Sequence, residues 1–113
     1  MSPELIKYLP HLRVISKIER ESLRAEVIEY FCEEPDFRKA MVEIAMNTIN
    51  ENLPLSGGDK IALGPHCETL LNLGHNKRSK RKVYAQSCGA LPVLVPIIDK
   101  IMKKRKRSRE EKL

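Results

Sequence analysis

The chain has 113 residues, which is enough for one folded domain but too few for two, and its formal net charge is +6. It has no Trp, and aromatic residues make up only 4% of it, so stacking of bases on aromatic rings is not expected to be its main means of binding. The longest apolar run, from Ala90 to Ile98, falls short of the roughly 18 to 20 residues that cross a bilayer. Met1 to Glu4 has neither the basic nor the apolar region of a signal peptide.

The charge is divided unevenly along the chain. Residues 1 to 76 contain 8 Lys and Arg against 12 Asp and Glu, a net charge of −4, whereas residues 77 to 113 contain 13 against 3, a net charge of +10. A block of like charge this dense repels itself unless an anion is present. We therefore predict an acidic helical body over residues 1–76 and a basic arm over residues 77–113, with an apolar insert at 88–98.

The first predicted helix has a typical start. Ser2 suits the N-cap, Pro3 suits the first turn, and Glu4 lies near the positive end of the helix dipole. Pro10 is predicted to interrupt this helix. A second segment is expected to follow as far as Ile18.

Two amphipathic helices come next. From Glu19 to Glu33 apolar residues recur at every third or fourth position while Glu and Arg fill the others, as in a helix with one buried face. The apolar residues of that predicted face are Leu23, Val27, Tyr30 and Phe31. The clearest helical period of the chain runs from Phe37 to Ile49.

Shorter helices complete the predicted fold. Ser56 and Asp59 have the spacing of a capping box, Gly64-Pro65 indicates a break, and Gly74 indicates a helix end. No run alternates well enough to predict a strand. The predicted fold is all-α, a small bundle of five or six short helices with a basic C-terminal arm.

Two basic runs carry the most specific functional signal. Each packs five cations into five or six residues, a density that neutralises phosphates and releases condensed counterions. Such contacts hold nucleic acid without identifying its sequence. The predicted nucleic-acid contacts are Lys77, Arg78, Lys80, Arg81, Lys82, Lys103, Lys104, Arg105, Lys106, Arg107 and Arg109. The alternative is a solvated tail that serves solubility or nuclear import.

An apolar segment lies between these runs. No side chain from Ala90 to Ile98 is polar, and an exposed stretch of this kind usually marks a contact with a partner or a membrane. The predicted contact residues are Leu91, Val93, Leu94, Val95, Ile97 and Ile98. The alternative is that the segment folds back on the body as part of its core.

Three motifs resemble small proteins encoded by Polinton-like elements and adintoviruses. They are Asn-Leu-Pro-Leu-Ser at 52–56, Ser-Lys-Arg-Lys at 79–82 and Gln-Ser-Cys-Gly-Ala-Leu-Pro-Val-Leu-Val-Pro-Ile at 86–97. The last motif also resembles the adenovirus X (mu) core-protein precursor, in which basic residues precede a glycine pair and an apolar tail. The resemblance implies a virion core protein that binds DNA in the particle and in the host nucleus, with capsid or other virion proteins as partners.

The same resemblance implies a protease cut site. The maturation protease cuts the adenovirus precursor at its glycine pair, and the matching residues here are Gln86, Cys88, Gly89 and Ala90. Glycines suit a narrow cleft because they present no side chain. Cys88 replaces the first glycine, so cleavage after Gly89 is expected to be slow.

Patterns of catalytic or metal-binding residues are not recognised in the sequence. The nearest candidates, His66, Cys67, His75 and Cys88, do not have the spacing of paired zinc ligands. The chain has three cysteines, Cys32, Cys67 and Cys88, and this odd number favours a reducing compartment. We expect a protein without enzymatic activity or cofactor that binds DNA independently of sequence. The alternatives are a membrane-active or capsid-docking virion protein that uses the apolar segment, and a nuclear-targeted adaptor.

Overall fold

Seven α-helices and no strand are found in the described part of the chain. A computed structural model describes residues 2–50, 53–76 and 81–111, with side chains described as far as Lys103. The helices are α1 (Pro3–Ser16), α2 (Glu21–Phe31), α3 (Pro35–Ile49), α4 (Gly57–Leu63), α5 (Cys67–Gly74), α6 (Arg81–Gln86) and α7 (Leu91–Glu111). Short 3-10 turns at Gly64–His66 and Ser87–Gly89 precede α5 and α7. The predicted all-α fold is confirmed, although α4 and α6 have only 7 and 6 residues.

Helix α1 begins as predicted but runs straight through Pro10. The hydroxyl of Ser2 accepts a hydrogen bond from the Leu5 amide at 3.2 Å and caps the helix. A proline inside a helix leaves the carbonyl four residues earlier without its donor, here that of Ile6. Both Pro10 and Ile6 are exposed, Ile6 to 56%, so water can solvate this part of the backbone. The opposite face holds the helix in place through Leu5, Tyr8, Leu9, Leu12 and Ile15, which are buried.

The predicted apolar face of helix α2 is only partly buried. Val27 and Phe31 are half-buried against the core, but Leu23 and Tyr30 are 43% and 76% exposed, whereas Arg24 and Ile28 are buried. The buried stripe is displaced because α2 packs against α6 and the turn at Ser87–Gly89. Arg24 is tolerated there because its guanidinium donates to backbone carbonyls.

Helix α1 lies between α3 and α7, and α3 also packs on α5. Tyr8, Phe31 and Phe37 form an aromatic cluster near the start of α3, with ring centroids 5.4 Å apart for both Tyr8–Phe37 and Phe31–Phe37. At the other end, a Cβ on Gly74 would lie 3.0 Å from Met46 Sδ. Gly74 therefore permits the close approach of α5 to α3.

The apolar segment after residue 88 forms part of the core. The expected exposed contact at Leu91, Val93, Leu94, Val95, Ile97 and Ile98 is wrong, because five of these side chains are buried and Val93 is half-buried against the core. Their spacing places a helical stripe of α7 against α1. Pro92 fits the first turn of α7, and Pro96 lies on its exposed side. The core therefore extends well beyond the predicted boundary at residue 76.

None of the described helices alone is both long and apolar enough to cross a bilayer. Arg81–Gly89 and Leu91–Lys103 pass by length and composition only when taken together, and they are bent by 77° relative to each other.

Candidate nucleic-acid interface

The basic end of the chain continues the helix that closes the core. Ile101 is the last buried side chain of those described in α7, Met102 is half-buried and Lys103 is exposed, and the helix then runs on to Glu111. The predicted contacts Lys104, Arg105, Lys106, Arg107 and Arg109 lie on this helical backbone, and their side chains fall outside the described ones.

The charge density of this extension is close to that of duplex DNA. Six of the seven residues from Lys103 to Arg109 are Lys or Arg. With a rise of about 1.5 Å per residue, they supply roughly one positive charge per 1.7 Å of helix axis. Duplex DNA carries one negative charge per about 1.7 Å of its own axis. Along its own length, a helical segment of this composition therefore matches the combined charge of the two phosphate backbones of a duplex.

The first basic run is only partly described. Lys77, Arg78 and Lys80 lie outside the described residues, whereas Arg81 and Lys82 open α6 and are exposed. Arg81 Nη2 lies 2.6 Å from Glu33 Oε1, so this predicted contact already pairs with an acid beyond the end of α2. Exposed ion pairs contribute only about 0 to 1 kcal/mol. A phosphate can therefore displace Glu33 from Arg81.

A groove between α1 and α7 brings Lys103, a predicted contact, together with three cations that sequence analysis did not single out. Its volume is about 660 Å³, and Arg13 and Lys17 of the α1 end face Lys100 and Lys103 of α7 across it. Residues three or four apart share one face of a helix, which accounts for each pair. The spacing of Arg13 and Lys17 was visible in the sequence. The packing of this face of α1 beside α7 could not be predicted from it.

Two carboxylates neutralise part of this groove's charge. Arg13 Nε lies 2.6 Å from Asp99 Oδ1, and Lys100 Nζ lies 3.9 Å from Asp59 Oδ1. Lys17 and Lys103 have no acidic partner within the described ranges. Four cations against two acids leave the groove with a net positive charge.

The residues of the predicted cut site lie in a folded turn. Gln86 is exposed at the end of α6, Gly89 is half-buried, and both Cys88 and Ala90 are buried. The Cys88 carbonyl accepts a hydrogen bond from Arg24 Nε at 2.8 Å. Proteolysis favours exposed, flexible backbone, so a cut after Gly89 requires this turn to unfold first.

The folded chain and a short peptide with the same cut site are expected to be cleaved at different rates. An adenovirus-type maturation protease should cut a peptide of residues 84–95 faster than it cuts the whole chain, because only the peptide is free to become extended. Within the peptide, Cys88→Gly should raise the cleavage rate by roughly 10- to 200-fold if the thiol does not fit the subsite. Mass spectrometry of timed digests measures both rates. Equal rates for chain and peptide would show that the turn gives no protection.

Cys32 and Cys88 are buried, free cysteines. Burial raises the pKa of the Cys32 thiol to about 11, and burial followed by the charge of Glu21 raises the pKa of Cys88. Both thiols therefore stay protonated near neutral pH, where only the thiolate is a strong nucleophile or metal ligand. No three His, Cys, Asp or Glu side chains of the described ranges come together as a metal site would require.

Comparisons with known protein families, with curated protein sequences and with solved structures gave no match.

Proposed function

We propose that the protein packages DNA as a virion core protein. It binds duplex DNA without sequence preference through the basic extension of α7 (residues 103–109) and the run at residues 77–82. The observation that carries this proposal is the match in charge spacing between the extension and the duplex. The resemblance to core proteins of Polinton-like elements supports the same assignment.

The acidic surface of the body supports separate roles for the body and the basic extension. Exposed glutamates, among them Glu19, Glu26 and Glu29, lie in and beside α2. Like-charge repulsion keeps such a surface away from phosphates. The body is therefore free to contact capsid or other virion proteins while the basic extension holds DNA.

A membrane-active or capsid-docking role for the apolar segment is less well supported. Interfacial binding needs an exposed apolar helix face beside the charges. Leu91, Leu94, Val95, Ile97 and Ile98 place that face of α7 inside the core instead. The basic runs are better suited to bind a polyanion, because such a contact requires positive charge and no exposed apolar face.

The test is a titration of the full chain with two duplexes of equal length and unrelated sequence. Both should bind with the same affinity, and the triple variant Lys104→Gln, Lys106→Gln, Arg107→Gln should reduce the slope of log K against log salt by about 2.7. The matched control neutralises three exposed cations of the body, Lys7, Arg20 and Lys39. The control should leave the slope unchanged.

Two outcomes would replace this proposal. Binding to vesicles rich in anionic lipid without binding to DNA would indicate a membrane protein. No salt-dependent binding to either would leave the basic runs as a nuclear import signal.

A further inference from the structure

We propose that the groove between α1 and α7 seats part of the sugar-phosphate backbone of the bound duplex. The inference rests on the proposed function and extends the contact from the α7 extension onto the folded body. It assigns phosphate contacts to Lys17 and Lys100, which lie outside both basic runs, and to Arg13.

The groove and the basic extension of α7 meet at Lys103. Lys103 lines the groove and is also the first residue of the extension, and Lys100 precedes it by one turn on the same helix. A sugar-phosphate backbone that is bound along the extension can therefore continue at Lys103 into the groove. Lys17, at the C-cap of α1, supplies a further cation on the opposite wall, with no acidic partner among the described side chains.

The ion pairs of the groove orient Arg13 and Lys100 and neutralise only part of its positive charge. Arg13 and Asp99 are both partly exposed, as are Lys100 and Asp59. Phosphate oxygens compete well for an arginine because its guanidinium can donate two parallel hydrogen bonds. The net charge that remains is positive, which suits a polyanion better than a neutral or cationic partner.

The test compares two double variants that remove the same charge. Lys17→Gln/Lys100→Gln alters the groove, and Lys7→Gln/Lys39→Gln is the control. Each pair removes one lysine without an acidic partner in the described ranges and one that lies near an aspartate, 3.9 Å for Lys100–Asp59 and 4.0 Å for Lys7–Asp36.

The control lysines are far enough away to report nonspecific charge effects only. Lys7 precedes Lys17 by ten residues on α1, about 15 Å along the helix. Lys39 lines a separate hollow beside Ser2, at the other end of α1 from Lys17. Both separations exceed the screening length of about 8 to 10 Å at moderate salt.

The groove variant should lose two phosphate contacts. The slope of log K against log salt on duplex DNA should become shallower by about 1.8, and affinity near 0.1 M salt should fall by roughly 10- to 60-fold. The control should keep the wild-type slope and stay within about twofold of its affinity. Thermal unfolding monitored by circular dichroism should give the same midpoint for all three proteins, because every substituted side chain is exposed.

A variant of opposite sign tests the same groove. Asp99→Asn removes a negative charge and frees Arg13, so the slope should steepen by up to about 0.9. Asp36→Asn, which removes the partner of Lys7, is the matched control and should leave the slope unchanged. Weaker binding by the Asp99 variant at unchanged folding would contradict the proposal.

The results separate this inference from the proposed function. If the wild type binds steeply, the triple extension variant weakens it, and the groove variant behaves like its control, the groove is not a contact and the proposed function stands. If the wild type shows no salt-dependent binding to DNA, the proposed function is wrong and the groove assignment falls with it.

Discussion

Replacing Leu94 by Ala is expected to lower the free energy of unfolding by about 3 to 5 kcal/mol. Leu94 is 1% exposed and belongs to the stripe of α7 that packs on α1. Its truncation removes buried apolar surface and leaves a cavity that the neighbouring helices fill only in part. A loss of this size is a large share of the roughly 5 to 15 kcal/mol that stabilises a small domain.

Chemical denaturation monitored by circular dichroism measures this loss. The control is Ile61→Ala on α4, where the side chain is 79% exposed and the expected change is within about 0.5 kcal/mol. If Leu94→Ala left stability unchanged while weakening a partner or membrane contact, the segment would be a docking surface and its place in the core would be wrong.

Arg24→Met is expected to cost about 2 to 5 kcal/mol. The guanidinium donates to the carbonyls of Cys88 and Ile18, which ties α2 to the turn before α7 and to the chain after α1. Methionine fills similar space but has no donor, so these acceptors lose their partner where little water reaches. Arg24 therefore stabilises the packing of α2 against the turn that precedes α7.

Arg20→Met makes the same chemical change at an exposed position just before α2. It should shift the midpoint of thermal unfolding by at most a few degrees, since most exposed substitutions change stability by less than about 0.5 kcal/mol. Equal midpoints for the two variants would show that the hydrogen bonds of Arg24 contribute nothing measurable.

The helices with local signals were predicted well from the sequence. Ser2 and Ser56 cap α1 and α4, and Asp59 completes the capping box with its side chain accepting from the Ser56 amide at 3.1 Å. The period from Phe37 to Ile49 became α3, with Phe37, Met41, Ile44 and Ala45 buried and Ile49 half-buried. Caps and periodicity act within a few residues, so they can be recognised without knowledge of the tertiary structure.

The errors arose where packing overrides local preference. Pro10, which was predicted to interrupt α1, lies inside it because Pro10 is on an exposed face and the opposite face is anchored in the core. Arg24 is buried because carbonyls outside its own helix accept its hydrogen bonds, one of them 64 residues away in the chain. An unbroken apolar run such as 90–98 is compatible with either a core or a docking surface, and only the face offered by α1 decides between them.

The candidate site was predictable only as a charge pattern. The basic runs were visible in the sequence, whereas the groove depends on how α1 and α7 pack. Lys17 and Lys100 are 83 residues apart in the chain, and each alone resembles any other exposed lysine. Their contribution follows from the tertiary structure.

The salt dependence of duplex binding by the full chain tests the central claim most directly. If about eight of the cations assigned to DNA contact each neutralise one phosphate, the slope of log K against log salt should be about −7, the same for unrelated sequences. A slope near zero, or an affinity that follows sequence instead of salt, would contradict the assignment of a DNA-packaging protein.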